Sequence, residues 1–327
     1  MANILVTGGA GYIGSHTCKQ LAASGHTPIV YDNLSNGHRD AVRWGPFEAG
    51  DITDGARLRA VIQAHKPQAV IHFAGLIEVG ISVADPAAFY HANVYGSLTL
   101  LQALVDEGVS SVVFSSTAAV YGQPETVPIP EGAPSAPINP YGETKRAVEE
   151  MLGSFAAAHG LRYTALRYFN AAGADPEGDL GERHDPESHL IPLVLFAALG
   201  QRPHINIYGT DYPTPDGTAV RDYAHVSDLA LAHVAALDYL QSAPEPLIAN
   251  LGTGTGYSVR QVVETCRRIT GRDIPAQDAP RRDGDPPALV AAVERAHDRL
   301  GWRAQISDLD TIVATAWAWH LSQSKAG

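Results

Sequence analysis

A tyrosine and a lysine stand four residues apart in the segment Tyr141–Lys145, YGETK. On a helix this spacing places both side chains on one face, and Asn139-Pro140 is a typical helix start. A tyrosine can exchange protons near neutral pH only if its pKa, normally about 10, falls by a few units, and the cationic nicotinamide of an oxidised cofactor would contribute to that fall. An ammonium ~5 Å away would contribute about 3 kcal/mol to that lowering. The pair therefore indicates an acid–base site, although the same spacing also occurs by chance on surface helices.

Three hydroxyl residues, Ser115, Ser116 and Thr117, follow an apolar run that is predicted to be a strand, Val112–Phe114. Parallel sheets bind their ligands at the carboxyl ends of the strands. A hydroxyl at that edge can hydrogen-bond the oxygen that the tyrosine deprotonates. No His and Asp pattern accompanies the two serines, so a hydrolase triad is not expected.

The segment 4–14, ILVTGGAGYIG, is typical of a strand, a glycine-rich turn and the start of a helix. Gly9, Gly11 and Gly14 fit the pattern G-x-G-x-x-G, and Gly8, Gly11 and Gly14 fit G-x-x-G-x-x-G; in either pattern a tight turn lets a dinucleotide pyrophosphate approach the backbone. The helix N-terminus would then face the phosphates. A second glycine run, 252–256, lacks a following strand with an acidic end and is interpreted as a structural turn.

An acidic residue, Asp32, ends the second predicted strand, Ile29–Tyr31. A carboxylate there accepts hydrogen bonds from the adenosine ribose and repels a 2′-phosphate, which predicts NAD rather than NADP. Arg39 is a contrary signal, since its cation could pair with a 2′-phosphate. Asp51 and Ile52 end a third strand and are expected beside the adenine.

Strand and helix patterns alternate through the first half of the chain. Apolar runs occur at 4–6, 29–31, 69–73, 111–114 and 163–166, and helical patterns at 12–24, 55–65, 86–107 and 140–159. This alternation predicts an α/β fold, a Rossmann-like doubly wound parallel sheet with a smaller C-terminal substrate-binding lobe. We expect an NAD-binding domain over residues 1–170 and the smaller lobe over 171–327, with some chain crossing back to the first domain.

Composition excludes several classes of protein. The 327 residues carry 23 Lys and Arg against 35 Asp and Glu, a net charge of −12 that would repel nucleic acid. The longest apolar run, 190–199, is about half of a membrane span, so no membrane partner is expected. Two cysteines and an N-terminus that is typical of a strand, not a signal peptide, predict a cytoplasmic protein.

Metal binding is not expected, because none of the 14 histidines has a close paired spacing of the H-x-x-x-H kind. His184, Asp185 and His189 fall together in one polar loop. Such a loop is interpreted as solvated, or as touching a substrate phosphate.

Several segments together resemble the extended short-chain dehydrogenase/reductases and, among these, the UDP-glucose 4-epimerase family. They are Thr7–His16, Asp32–Leu34, His72–Gly75, Phe114–Gly122, Tyr141–Lys145, Arg167–Gly173, Asp211–Val226 and Arg281–Asp285. The resemblance runs from end to end of the chain. It implies a tightly held NAD, a transient 4-keto sugar, a homodimer, and Thr117, Tyr141 and Lys145 as the catalytic residues.

The resemblance also implies two sets of binding residues. Around NAD it places Gly8, Gly11, Tyr12, Ile13, Gly14, Asp32, Asn33, Asp51, Ile52, Phe73, Ala74, Gly75, Asn93, Ser115, Tyr141, Lys145 and Tyr168. Around the UDP-sugar it places Thr117, Tyr141, Phe169, Asn170, His189, Leu190, Asn206, Tyr208, Arg221, Arg282, Asp285 and Leu289, with Asn206 and Tyr208 near uracil and Leu289 limiting the sugar pocket.

Three residues depart from the pattern of many or some family members. Thr117 stands where many have Ser, which keeps the hydroxyl. Ile77 stands where some have a Lys facing the cofactor phosphates, which implies a looser hold on NAD. His189 stands where some have Asn near the nucleotide sugar.

Related activities begin with the same oxidation at C4 of a nucleotide sugar. In the relatives that dehydrate, an Asp-Glu pair follows the strand-end Thr, and decarboxylases keep a Glu there. Ala118 and Ala119 occupy these positions and cannot transfer protons. The sequence therefore favours an isomerase acting on UDP-glucose and UDP-galactose, and to a lesser extent on their N-acetylated forms. A UDP-pentose 4-epimerase, a net dehydrogenase and a non-enzymatic NAD sensor remain as alternatives.

Overall fold

The computed structural model describes residues 1–243, 245–282 and 284–326. For residues 325 and 326 only the backbone is described. Its strands are β1 (Asn3–Thr7), β2 (Thr27–Asp32), β3 (Phe47–Ala49), β4 (Ala69–His72), β5 (Ser111–Thr117), β6 (Arg162–Tyr168), β7 (Asn170–Ala172), β8 (Ile205–Tyr208), β9 (Val220–His225), β10 (Leu247–Leu251), β11 (Gly256–Ser258), β12 (Ala276–Ala279) and β13 (Ala288–Leu289).

The helices follow the chain in the same way. They are α1 (Tyr12–Ala23), α2 (Gly55–His65), α3 (Val79–Ala84), α4 (Pro86–Phe89), α5 (Gly96–Asp106), α6 (Pro140–His159), α7 (Leu190–Ala198), α8 (Val226–Ser242), α9 (Val259–Thr270), α10 (Glu294–Leu300) and α11 (Leu309–Ala326). No helix in the described residues combines the length and apolar character needed to cross a membrane.

A parallel sheet in the order β10-β6-β5-β4-β1-β2-β3 forms the centre of the structure. One of its faces packs against α1 and α8, and the other packs against α2, α5 and α6. Because helices cover both faces, the inner strands carry apolar side chains on both faces of the sheet, as Leu5, Val70 and Val113 show with no measurable exposure. The predicted Rossmann-like, doubly wound sheet is confirmed.

The sheet draws its seventh strand from the second half of the chain. β10 pairs in parallel with β6, from Leu247 opposite Thr164 to Leu251 opposite Tyr168. α8, which precedes β10, packs on α1 through buried residues such as Leu229 and Leu237. Residues 226–251 therefore belong structurally to the first domain, although they lie in the segment assigned from the sequence to the smaller lobe.

The smaller lobe has its own core, built from α7, α9 and α11 around residues such as Val194, Val263 and Ile312. A small sheet of β11, β9 and β13, with β7 on β9, and a separate β8–β12 pair complete it. The glycine run 252–256 is a structural turn, as interpreted from the sequence. The buried Asp222 carboxylate accepts hydrogen bonds from the backbone of Thr253 and Gly254.

The helical stretch predicted over 86–107 is present but not uniform. Asp85 caps α4 by accepting a hydrogen bond from the backbone of Ala88, and the segment Tyr90–Tyr95 that follows is a π-helix leading into α5. The wider turn carries Asn93, which is buried. Such wide turns are frequent at functional sites.

The start of α6 is fixed by a side-chain cap. Asn139 Oδ1 accepts a hydrogen bond of 2.8 Å from the Gly142 backbone N–H, and Pro140 takes the first helical position. The helix ends at Gly160, whose φ of 70° lies in the left-handed region. Both bounds agree with the prediction from the sequence.

Replacing Asn139 with Ala removes this cap and is expected to lower the free energy of unfolding by about 1 kcal/mol. Asn139→Ser keeps an acceptor and should stay close to the wild type. Asp85→Ala removes an equivalent cap from α4 and should cost a similar amount. Chemical denaturation of the four proteins measures this, and equal midpoints for Asn139→Ala and Asn139→Ser would contradict it.

Candidate active site

A cavity of about 880 Å³ lies along the carboxyl edge of the central sheet, between the sheet and the smaller lobe. Residues at the ends of β1, β2, β4, β5 and β6 line one side, and Arg221, Asp285 and Leu289 line the other. Its volume is at the upper end of the range for small-molecule sites. Ligands are expected at this edge of a parallel sheet.

The glycine turn after β1 leaves no space for side chains where the chain packs on itself. A Cβ on Gly14 would lie 2.2 Å from the Gly8 carbonyl oxygen, and one on Gly8 would lie 2.6 Å from the Ala74 nitrogen. Gly8 also has a φ of +73°. A Cβ on Gly11, the N-cap of α1, would meet only the Gly8 carbonyl oxygen, at 3.3 Å, and both the turn and the helix N-terminus border the cavity. A dinucleotide pyrophosphate fits such a cradle.

Asp32 borders the cavity at the end of β2. Its carboxylate accepts hydrogen bonds from the backbone N–H of Ala10 at 3.0 Å and of Leu34 at 2.8 Å. Burial raises the pKa of Asp32, and these two hydrogen bonds oppose the rise. Arg39 does not line the cavity, because its guanidinium stacks on the Phe47 ring at 4.7 Å. The site therefore fits an adenosine ribose with a free 2′-hydroxyl, and the Arg39 guanidinium is not placed to bind a 2′-phosphate.

Tyr141, Lys145 and Thr117 meet on the cavity wall, as their order in the sequence suggested. Thr117 ends β5, and the other two lie one turn apart on α6. Lys145 is buried, and its Nζ donates a hydrogen bond of 3.0 Å to the Ser115 carbonyl oxygen. The same ammonium lies 5.1 Å from the Phe114 ring centre. The lysine is thus held between β5 and α6.

The pKa of Tyr141 in the cofactor-free chain is set mainly by burial. Burial raises the pKa of Tyr141 to about 12, the neighbouring Thr117 hydroxyl lowers it, and the Glu78 carboxylate raises it further. Lys145 Nζ lies 6.0 Å from the centre of the phenol ring, over its face. The pKa of the tyrosine in the cofactor-free chain therefore lies above its ordinary value, and the lowered pKa expected from the sequence applies to the site with its cofactor bound.

Most residues assigned to NAD line the cavity, but Asn93 does not. Its side-chain amide donates to the Leu76 carbonyl at 3.0 Å and accepts from the Leu76 N–H at 2.7 Å. It also donates to Thr144 Oγ1. Asn93 therefore supports the loop after β4 from behind. The hydroxyls of Ser115 and Tyr168, which do line the cavity, are hydrogen-bonded to each other.

A buried ion pair lies behind the strand-end hydroxyls. Glu149 on α6 binds Arg167 on β6 through Nε at 2.9 Å and through a second guanidinium nitrogen, and it accepts a hydrogen bond from Ser116. Neither residue of this pair is among the site residues predicted from the sequence. The available signal was the spacing, since Glu149 lies four residues after Lys145 and so places a charge on the buried face of α6.

The residues assigned to the UDP-sugar divide into two groups. Those that line the cavity are Thr117, Tyr141, Phe169, Asn170, His189, Arg221, Arg282, Asp285 and Leu289. Leu190, Asn206 and Tyr208 are not among the lining residues, although the Arg282 guanidinium lies 4.1 Å from the Tyr208 ring centre. Arg221 forms an ion pair with Asp285, so two of the proposed nucleotide ligands neutralise each other in the free chain.

His189 lies in a charged cluster at the cavity wall. Its Nδ1 is 2.8 Å from Glu182 Oε1 and 3.2 Å from Glu187 Oε1. Burial lowers the pKa of His189, but the two carboxylates raise it to about 10. His184 belongs to the same cluster, whereas Asp185 is exposed and does not.

Comparison with known proteins identifies the relatives of this chain. A family model described as the NAD dependent epimerase/dehydratase family matches residues 4–252. The chain is 54% identical over 325 residues to a UDP-glucose 4-epimerase of Rhizobium meliloti (strain 1021), covering 99% of both chains. These similarities confirm the resemblance predicted from the sequence.

Solved structures of the same kind superpose along the whole chain. The UDP-glucose 4-epimerase from Brucella ovis in complex with NAD has a TM-score of 0.95 at 54% identity, covering 97% of this chain and 98% of that one. The UDP-glucose-4-epimerase from Stenotrophomonas maltophila, with bound NAD and formylated UDP-arabinopyranose, has a TM-score of 0.97 at 41% identity, covering 100% of both.

Burial of Lys145 predicts a pH-dependent stability. Burial lowers the pKa of Lys145 to about 8, against about 10.4 in an unfolded chain. Below pH 8 both states carry the charge, so its full cost of about 3 kcal/mol applies, and this cost is removed between pH 8 and pH 10.4. Lys145→Met should therefore be more stable than the wild type at pH 7, and the difference should shrink by pH 10.

Denaturation midpoints of the two cofactor-free proteins at pH 7 and pH 10 measure this effect. A Lys145→Met protein that is less stable than the wild type at pH 7 would show that the contacts of the ammonium outweigh its desolvation.

Proposed function

Because the chain belongs to the NAD dependent epimerase/dehydratase family, we propose that it is an NAD-dependent isomerase that inverts C4 of UDP-hexoses such as UDP-glucose and UDP-galactose. The observation that carries this proposal is the meeting of Thr117, Tyr141 and Lys145 on the wall of the cavity that also contains the glycine turn and Asp32. Relatives that are about half identical to this chain carry the name UDP-glucose 4-epimerase. NAD is the cofactor.

NAD, when bound, supplies a reversible acceptor for the hydrogen on C4 of the sugar, so the reaction passes through a transient 4-keto sugar. The glycine turn would hold its pyrophosphate, and Asp32 would hold the adenosine ribose. Asn33, which follows Asp32, donates a hydrogen bond to the Asp51 carboxylate. Ile52 is next to Asp51 and lines the same cavity as Asp32. Because the cofactor is restored in each turnover, the reaction requires no second redox substrate.

We assign the proton transfer at O4 to Tyr141. Thr117 orients the sugar oxygen with its hydroxyl, and the buried charge of Lys145 favours the phenolate in the assembled site. Since burial raises the pKa of Tyr141 to about 12 in the free chain, positive charge from both Lys145 and the bound cofactor is needed to bring it into the working range.

The residues after Thr117 favour epimerisation over loss of water or carbon dioxide. Ala118 and Ala119 both line the cavity next to Thr117. Dehydration of a 4-keto sugar needs an acid and a base at C6 and C5, and neither methyl side chain can act as one. The 4-keto sugar is therefore reduced again with no group removed, and C4 inverts when it presents its other face.

The UDP moiety is proposed to bind at Arg221, Arg282 and Asp285. Arginine can contact a diphosphate through two N–H groups at once, and these cations stand out on a chain of net charge −12. Because Arg221 is paired with Asp285 in the free chain, an incoming diphosphate would compete with that carboxylate for the guanidinium.

We further propose that the enzyme works in the cytoplasm, in galactose metabolism. Its two cysteines, Cys18 and Cys266, are buried free thiols, which suits a reducing compartment. One direction of the reaction forms UDP-galactose, and this product links the enzyme to galactose metabolism.

A homodimer is proposed from an exposed apolar surface on the helices next to the site. Val79, Ile81 and Val83 on α3, Tyr95 at the end of the π-helical segment and Leu98 on α5 are all exposed, between 41% and 64%. Contiguous exposed apolar side chains typically mark a protein interface. A second copy of this chain would cover them.

Tyr141→Phe is expected to lower kcat at least ~100-fold, the usual loss when an acid–base group is removed. Thr117→Val should also lower it, whereas Thr117→Ser keeps the hydroxyl and should stay near the wild type. The assay follows UDP-galactose by NMR with no added cofactor. Near-normal turnover by Tyr141→Phe would remove the tyrosine from this role, and an absolute need for stoichiometric added NAD would contradict the isomerase.

Leu98→Glu places a charge in the proposed interface and is expected to halve the mass measured by light scattering. Leu231→Glu is the matched control, because Leu231 on α8 is similarly exposed, at 39%, and lies outside the surface described. A wild type that runs as a monomer, or a Leu98→Glu protein that keeps the wild-type mass, would contradict the dimer.

A further inference from the structure

The loop between β7 and α7 brings two histidines and two glutamates together at the cavity wall. Glu182, His184, Glu187 and His189 each offer one ligand atom, and these four atoms all lie within 4.8 Å of one another. The side chains of both glutamates are only 4% exposed, so their carboxylates are held away from bulk water. The sequence places His184 and His189 in one polar loop, as noted above, but Glu182 and Glu187 are not among the residues predicted from it.

The distances within the group match the edges of a small coordination shell. Glu182 Oε1 lies 3.1 Å from His184 Nδ1 and 2.8 Å from His189 Nδ1. The oxygens of Glu187 lie 3.7 Å and 3.2 Å from the same two nitrogens. A tetrahedral ion with bonds of ~2.0–2.1 Å separates its ligand atoms by about 3.3 Å. The four measured separations lie on both sides of that value.

Hydrogen bonding accounts for only part of this arrangement, since Glu187 Oε1 accepts hydrogen bonds from the backbone N–H groups of Ser188 and His189 and lies 3.2 Å from His189 Nδ1. Among the described residues, Glu182 Oε1, His184 Nδ1 and Glu187 Oε2 are buried and have no hydrogen-bond partner, despite their short separations. These atoms are close to one another, but their angles do not suit a donor facing an acceptor. In the metal-free chain these carboxylates pair with the protons of His184 and His189, so a bound cation would displace those protons and take up the freed lone pairs.

We propose that Glu182, His184, Glu187 and His189 bind a divalent transition-metal ion, with Zn²⁺ the best match to the donor set. Imidazole nitrogen and carboxylate oxygen are both ligands of zinc, and four protein ligands make a closed, structural site. The ion neutralises two buried carboxylates beside a cavity that accepts anionic ligands. It also fastens the loop, in which the His184 ring stands edge-on to the Tyr12 ring of α1 at 6.3 Å.

The metal content of the untagged, full-length protein tests this site. After dialysis against Zn²⁺ and then against metal-free buffer, the wild type should retain about one ion per chain by mass spectrometry of the elements. His184→Asn should retain at least ~10-fold less. Asp185→Asn changes the adjacent, exposed residue of the same loop and should match the wild type. No retained zinc in the wild type, or equal zinc in the wild type and His184→Asn, would overturn the proposal.

A second readout covers the case in which His184→Asn does not fold. Wild-type protein loaded with Co²⁺ should show the intense visible absorption of a tetrahedral cobalt site, and absence of that absorption would overturn the proposal. Chelation should lower the Tm of the wild type and of Asp185→Asn, because a ligand that binds only the folded state stabilises it. These measurements need no catalytic activity, so their failure would leave the epimerase proposal intact.

Discussion

The contact between the β1–α1 turn and the loop after β4 leaves no space for one additional carbon atom. Gly14 packs against the Gly8 carbonyl, and Gly8 packs against Ala74, so the first helix, the first strand and the fourth strand have fixed relative positions. Because parallel strands share their carboxyl edge, fixing this corner also fixes where β2 presents Asp32 and where β5 presents Thr117. The cofactor cradle and the catalytic wall are therefore parts of one packing arrangement.

Burial determines the electrostatics of the catalytic wall. The same desolvation that lowers the pKa of Lys145 to about 8 raises the pKa of Tyr141 to about 12, so both groups are driven toward their neutral forms. Burying the Lys145 ammonium between β5 and α6 lowers the free energy of unfolding, but it keeps a positive charge where a phenolate has to form. The Glu149–Arg167 pair behind Ser116 adds a second buried charge pair at the same strand ends.

Local patterns in the sequence were sufficient for the elements whose formation depends on neighbouring residues. The bounds of α2 and α6 agree with the prediction because both have side-chain caps, Asp54 and Asn139, at their first residues. The pairing of β10 with β6 depends on contacts between distant segments, which no local period reports. The π-helical turn at Asn93 and the two glutamates beside His189 were not predicted for a related reason, since irregular backbone has no period to detect. The glycine turn, Asp32 and the Tyr141–Lys145 spacing were readable because their chemistry requires fixed residue types.

During synthesis β10 is made long after β6, the strand with which it pairs, and this delay affects how the nascent chain folds. β6 is complete at residue 168, but its outer edge stays unpaired until residue 251 has been made, and α1 lacks its cover of α8 for the same interval. At ~5–20 residues per second, a ribosome takes roughly 4–17 s to supply the missing strand. During that time an apolar, open sheet edge is exposed to other chains. A fragment ending at residue 170 would leave the outer edge of β6 unpaired and the α8-facing side of α1 uncovered, and only the later segment, covalently attached or added in trans, supplies the strand that closes this edge.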